Sequence, residues 1–232
     1  MRLLLIFAFL IFVPVLYGQV FVSYSTSSPI TGGCTGESSV SWYGQTYSTI
    51  IIGTQTWFKE NLNVASASSR CYNDLESNCD TYGALYEFWD ALGVTPEWSY
   101  QTTDLDGTQG ICPTGWRIPS QTDFTTLRTY LGGDVAGGKM KSTDSGDWTS
   151  GGSGSNSSCF MGKPGGGWNG NTSVYESLHD ATHYLTTTII DNYSGHTTIH
   201  SWELNYTSDD FISLAPVYGY MYNGLSIRCI KN

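Results

Sequence analysis

Ile111-Cys-Pro-Thr-Gly-Trp-Arg-Ile-Pro-Ser120 is the stretch around which the rest of the chain organises. Pro113 fixes φ and Gly115 supplies the backbone freedom that proline lacks, a pairing that predicts a tight turn. Trp116 and Ile118 alternate with Arg117, as in a short half-buried strand. Pro119 stops the strand, and Ser120 opens a helix as N-cap with Asp123 at the capping-box position. The helix is expected to bury Phe124, Leu127, Tyr130 and Leu131 and to end at Gly132-Gly133. Cys112 adds a covalent anchor to the same stretch.

Outward from this stretch, the 232 residues suit one well-packed domain. Residues 1–18 read as a secretory signal peptide, a basic start followed by an apolar run and Gly18. Residues 19–43 read as an extended lead-in and 44–232 as the domain. No second apolar run is long enough to span a bilayer, which predicts a secreted or cell-surface protein with no membrane span after signal cleavage. The net charge of -10 sets nucleic acid aside as a partner, because an acidic chain repels phosphate. Six cysteines in an exported chain point to disulfides rather than metal thiolates.

Within the domain, Tyr47–Ile52 is β-branched and aromatic, and a second strand through Trp57 and Phe58 should complete a hairpin. Cys71 and Cys79 bracket a polar loop suited to its own disulfide. Thr81 to Leu92 carries Tyr82, Leu85, Tyr86, Trp89 and Leu92 at helical spacing, which predicts a second amphipathic helix. Residues 142–157 read as surface loop, Pro164-Gly-Gly-Gly167 as a turn, and Tyr184–Ile190, Ile199–Tyr206 and Leu225–Ile230 as strands. The fold class expected from these elements is α+β.

Six motifs, in order, resemble the Fibrobacter succinogenes major paralogous domain. They are Ile-Gly-Thr-Gln-Thr-Trp-Phe-Lys-Glu-Asn-Leu-Asn (52–63), Cys71-Tyr-Asn with Cys79, Tyr82-Gly-Ala-Leu-Tyr86, Cys112-Pro-Thr-Gly-Trp-Arg-Ile-Pro-Ser120, Lys139-Met-Lys-Ser142 and Ser226-Ile-Arg-Cys-Ile-Lys231. That family looks like a branch of the C-type lectin-like fold, with distant similarity to formylglycine-generating and sulfatase-modifying domains. The resemblance implies two main helices packed on small antiparallel sheets, with long irregular loops and disulfide staples. It implies no chemistry. It does imply a pairing: Cys112 with Cys229, because lectin-like folds bring those segments together, and Cys71 with Cys79 as a local closure. Cys34 and Cys159 then remain, both outside the family motifs. The chain departs from the family at Cys159-Phe160-Met-Gly-Lys-Pro164 and at His183-Tyr-Leu-Thr-Thr187.

Candidate chemistry is sparse. His179/His183 and His196/His200 are spaced four apart, but the first pair lacks a zincin glutamate and the second lies in strand-like sequence, so zinc is not expected. Asp104/Asp106 and Asp209/Asp210 are carboxylate pairs that offer calcium only part of the six or more oxygens it needs. No nucleophile elbow, P-loop or dinucleotide fingerprint occurs, and an even cysteine count leaves no free thiol, so the chain is read as no enzyme. Trp57, Trp89 and Trp116 sit in motifs and read as core. Trp98, Trp148, Trp168 and Trp202 lie in or beside predicted loops, where rings stack on sugars or anchor proteins. Trp148, Trp168 and Trp202, with Asn169, Tyr184 and Tyr222, form the candidate contact set in the loops from Trp148 onward. The leading expectation is a secreted lectin-like binding or adhesion module for an extracellular glycan or surface protein. A structural, non-binding surface protein is the alternative, and an enzyme related to the formylglycine-generating proteins comes third.

Overall fold

A computed structural model describes residues 34, 36, 38–95, 105–152, 154–193, 196–214 and 222–232, which belong to one unit, Cys34–Asn232. Strands dominate it. The first sheet holds β1 (Ser38–Trp42), β2 (Gln45–Ile52), β3 (Gln55–Phe58), β5 (Trp116–Arg117) and β12 (Ile230–Lys231), in the order β1-β2-β3-β12-β5. Ile230 pairs with both Trp57 and Arg117, so the terminal strand lies between the early hairpin and the organising stretch. The second sheet runs β10 (Phe211–Leu214), β9 (His196–Asn205), β8 (Ala181–Tyr193), β11 (Leu225–Ser226) and β4 (Leu85–Tyr86). To it are joined β6 (Gly165–Asn169), parallel to β8, and β7 (Val174–Leu178), antiparallel to β6.

The expected α+β arrangement of two main helices on small sheets is overturned. Strand makes up 35% and helix 20%, in short helices beside curled sheets. The helices are α1 (Glu76–Tyr82), α2 (Phe88–Leu92), α3 (Gln121–Leu131) and α4 (Ala136–Met140). The helix predicted over Thr81–Leu92 is broken at Gly83, which stands at φ 81°. A Cβ there would lie 2.6 Å from the Asn61 side chain and 2.9 Å from the Leu62 carbonyl. Ala84 then donates to that carbonyl, and Leu85–Tyr86 pairs with β11 instead of continuing a helix. Helical spacing was present, but sheet pairing decided the outcome. The predicted turn at Pro164–Gly167 is likewise strand. Gly166 comes so close to β7 that a Cβ would meet the Glu176 carbonyl at 2.5 Å.

α3 follows its sequence closely. Ser120 Oγ accepts from Asp123 N, and the Asp123 carboxylate accepts from Ser120 N and from the Arg117 guanidinium. Phe124, Leu127 and Leu131 are buried, but Tyr130 is 65% exposed. At about 100° per residue, Tyr130 lies about 90° from the centre of the stripe formed by Phe124, Leu127 and Leu131. Two clusters make the core. One gathers Phe58, Tyr86, Trp89, Trp116 and Leu185 around the Cys112–Cys229 bridge. The other gathers Trp57, Phe124, Phe160, Tyr184 and Trp202 beneath α3. Cys34–Cys159, Cys71–Cys79 and Cys112–Cys229 are all paired, as the resemblance implied.

Candidate functional site

A face rich in polar side chains is built around the Cys71–Cys79 loop. A 3-10 turn at Tyr72–Asp74 and the start of α1 lie between Cys71 and Cys79, and Asn78 donates to the Tyr72 carbonyl. The loop is therefore held covalently and by hydrogen bonds. Beside it lie two adjoining hollows of about 560 Å³ and 440 Å³. Gln45, Asn63, Cys79 and Asp80 line both. Lys59, Glu60 and Lys163 border the larger hollow, while Tyr43, Arg70 and Glu76 border the smaller.

Arg70 ties the smaller hollow to the β6–β7 hairpin. Its guanidinium donates to Glu87 at 3.1 Å and lies 4.4 Å over the Trp168 ring. Tyr175 packs on Trp168 at 4.7 Å and Tyr72 on Tyr175 at 5.1 Å. The Tyr175 hydroxyl donates to Asp74, and burial together with that carboxylate pushes its pKa up to about 12. Trp168 is half-buried in this stack, with Tyr222 43% exposed two residues before its strand partner Gly224. Asn169 caps the hairpin turn by accepting from the Asn171 and Thr172 amides.

Arg228 forms part of the floor of the larger hollow, and sequence reading did not single it out. It is fully buried and pairs with no carboxylate among the described residues. Instead it donates twice to Asn61 Oδ1 and also to the carbonyls of Phe58, Lys59, Phe160 and Met161. Its charge lies 4.4 Å over the Phe160 ring, and burial pulls the guanidinium below its ordinary pKa. The available signal was one cation flanked by Ile227 and Cys229 in an otherwise apolar strand.

The other predicted contact residues do not join this face. Trp202 and Tyr184 are cross-strand partners in β9 and β8 and pack on Phe124 and Phe211, with Trp202 only 3% exposed. Trp148 is buried too, donating to Ser142 Oγ at 3.2 Å. These three are core rings, because strands and packed loop occupy the region read as open loop. Asp104 and Trp98 lie outside the described residues. The remaining calcium candidates are engaged by protein groups. Asp106 accepts from the Thr187 and Thr188 hydroxyls, Asp210 from Arg128, and Asp209 lies 3.9 Å from the Lys141 ammonium. His179 Nδ1 lies 2.7 Å from the Asp147 carbonyl, and His183 faces Glu203 at 3.3 Å. Among the described residues no three His, Cys, Asp or Glu side chains are placed to hold a metal ion.

A disulfide-stapled, strand-rich domain with one polar, aromatic-edged face is the class of protein these features define. The chain belongs to the Fibrobacter succinogenes major domain family, whose profile matches residues 50–231. The match runs from within β2 to β12 and takes in the Trp168 stack and most of the lining of both hollows, but not Tyr43 or Gln45. No curated protein and no solved structure matches the chain. The disulfides fit an extracellular, oxidising setting, and no helix among the described residues is long and apolar enough to cross a membrane.

Proposed function

We propose that the protein is an extracellular binding module that engages a glycan or surface protein through the β6–β7 hairpin face. The observation that carries this reading is the partly exposed Trp168 ring, held in place by contacts with Arg70 and Tyr175. A ring fixed in advance loses little conformational freedom on binding, which makes it a good platform for a sugar face or a partner's apolar anchor. Asn169 and exposed Asn171 and Tyr222 supply polar contacts beside it. A purely structural coat protein has no need of such a fixed ring at its surface. A glycan array, with and without chelator, and capture of co-expressed surface proteins test the reading. Binding that Trp168→Ala removes supports it. Absence of binding in both assays overturns it in favour of the structural alternative.

A further inference from the structure

Tyr43 breaks a local rule. Trp42 and Gln45 pair at the end of the β1–β2 hairpin, leaving Tyr43 and Gly44 as its two-residue turn at φ 47° and 81°. Two positive φ values mark the type I′ geometry that asparagine, aspartate or glycine fills best, and a bulky side chain is disfavoured there. Burial does not offset the strain, since Tyr43 is 73% exposed and its ring contact is an edge-on one with Trp42 at 4.7 Å. A local rule broken with no gain in packing is a mark of function.

That ring stands at the border of the smaller hollow. The side chains of Gln45, Asn63 and Asp80 line both hollows and have no hydrogen-bond partner among the described residues. Two amides and a carboxylate lining one groove can pair with a ligand's hydroxyls as donors and acceptors. The Cys71–Cys79 bridge fixes the wall they share, so little ordering is needed before a ligand binds. Glu60, Glu76, Asp80 and Asp144 face Lys59, Arg70, Lys163 and Arg228 in the lining, four charges of each sign, in a chain of net charge -10. A charge-balanced lining in an acidic chain gives uronates, sulfates and phosphates no net attraction. Lys163, the cation facing Asp144 at 3.5 Å, is already held by that acid and by Asp147.

We infer that the groove formed by the two hollows binds a neutral oligosaccharide, with Tyr43 stacking on one sugar ring and Gln45, Asn63 and Asp80 bonding hydroxyls of its neighbour. This is a different site from the Trp168 face and stands or falls separately. The test is calorimetric titration of the intact protein with neutral gluco-, xylo- and manno-tetrasaccharides and with a uronic-acid tetrasaccharide. At least one neutral ligand should bind, and more tightly than the uronate. Tyr43→Ala and Asp80→Ala should each weaken the bound neutral ligand about tenfold, the loss expected for one stacking or charged contact. Trp168→Ala should weaken this affinity less than Tyr43→Ala does, because Trp168 reaches the groove only through Arg70. Tyr43→Asn should weaken binding while raising Tm, because asparagine suits the turn and a merely structural tyrosine would show no such opposition. Absence of neutral-sugar binding, preference for the uronate, binding indifferent to Tyr43 and Asp80, or a lower Tm in Tyr43→Asn would each overturn the inference. Loss of binding only in Trp168→Ala would overturn it while leaving the hairpin reading intact.

Discussion

Replacing Arg228 by methionine should cost the fold more than most single changes. Methionine fills a similar path through the core but donates nothing. Asn61 Oδ1 and the carbonyls of Phe58, Lys59, Phe160 and Met161 lose the donor they share. At about 1 kcal/mol net per hydrogen bond, five acceptors put the loss at about 3–5 kcal/mol, the lower end allowing for the desolvation that the wild-type cation no longer suffers. For a domain of this size each kcal/mol shifts Tm by about 2–4 °C, so the transition should fall by about 6–20 °C. Arg228→Lys should recover only part of it, because an ammonium cannot reach acceptors on both sides of a planar fork. Differential scanning calorimetry reads both variants. An Arg228→Met protein within about 2 °C of the parent would refute the reasoning and reduce the cage to a packing detail.

Other outcomes follow from the same structure. Trp202→Ala should lose about 3–5 kcal/mol as a core cavity, and Trp168→Ala about 1–2 kcal/mol, which paired urea melts distinguish. Removing the Cys112–Cys229 bridge should cost about 4.9 kcal/mol in the chain-entropy model against about 2.6 for Cys71–Cys79, an order that melts of the two double-serine variants check. Burial alone would raise the Asp123 pKa, but bonds from Arg117 and Ser120 hold it below the ordinary 3.8. Its stabilisation is therefore present above about pH 4, is lost as pH falls through the depressed value, and should vanish from the acid melting curve of Asp123→Asn. Burial lowers the His183 pKa despite Glu203 and Glu176, so the unfolded chain takes up that proton first. Stability should drop as pH falls below about 6.5, less so in His183→Gln.

What the sequence disclosed followed from local physics. The turn at Gly115, the Ser120 cap and the buried face of α3 need only neighbours in the chain, and they stand as read apart from Tyr130. Elements set by distant partners were harder to read. Gly83 ends a helical pattern because Asn61 and Leu62 pass beneath it, and Gly165–Asn169 becomes strand because β7 and β8 flank it. Trp168 and Trp202 look alike in sequence, yet one lies under an arginine at the surface and the other faces Phe124 in the core. Tyr43 carried a local signal, a tyrosine before glycine at a hairpin turn, but its meaning needed the hollow beside it.

The central claim is that surface aromatic rings on this face meet a ligand while the core rings do not. Protein labelled with 15N at tryptophan, titrated with an array-positive glycan and followed through its indole N–H resonances, tests it directly. The Trp168 resonance, assigned from Trp168→Phe, should move with saturating dependence while those of buried Trp57 and Trp202 stay in place. A stationary Trp168 resonance at saturating glycan would contradict the account.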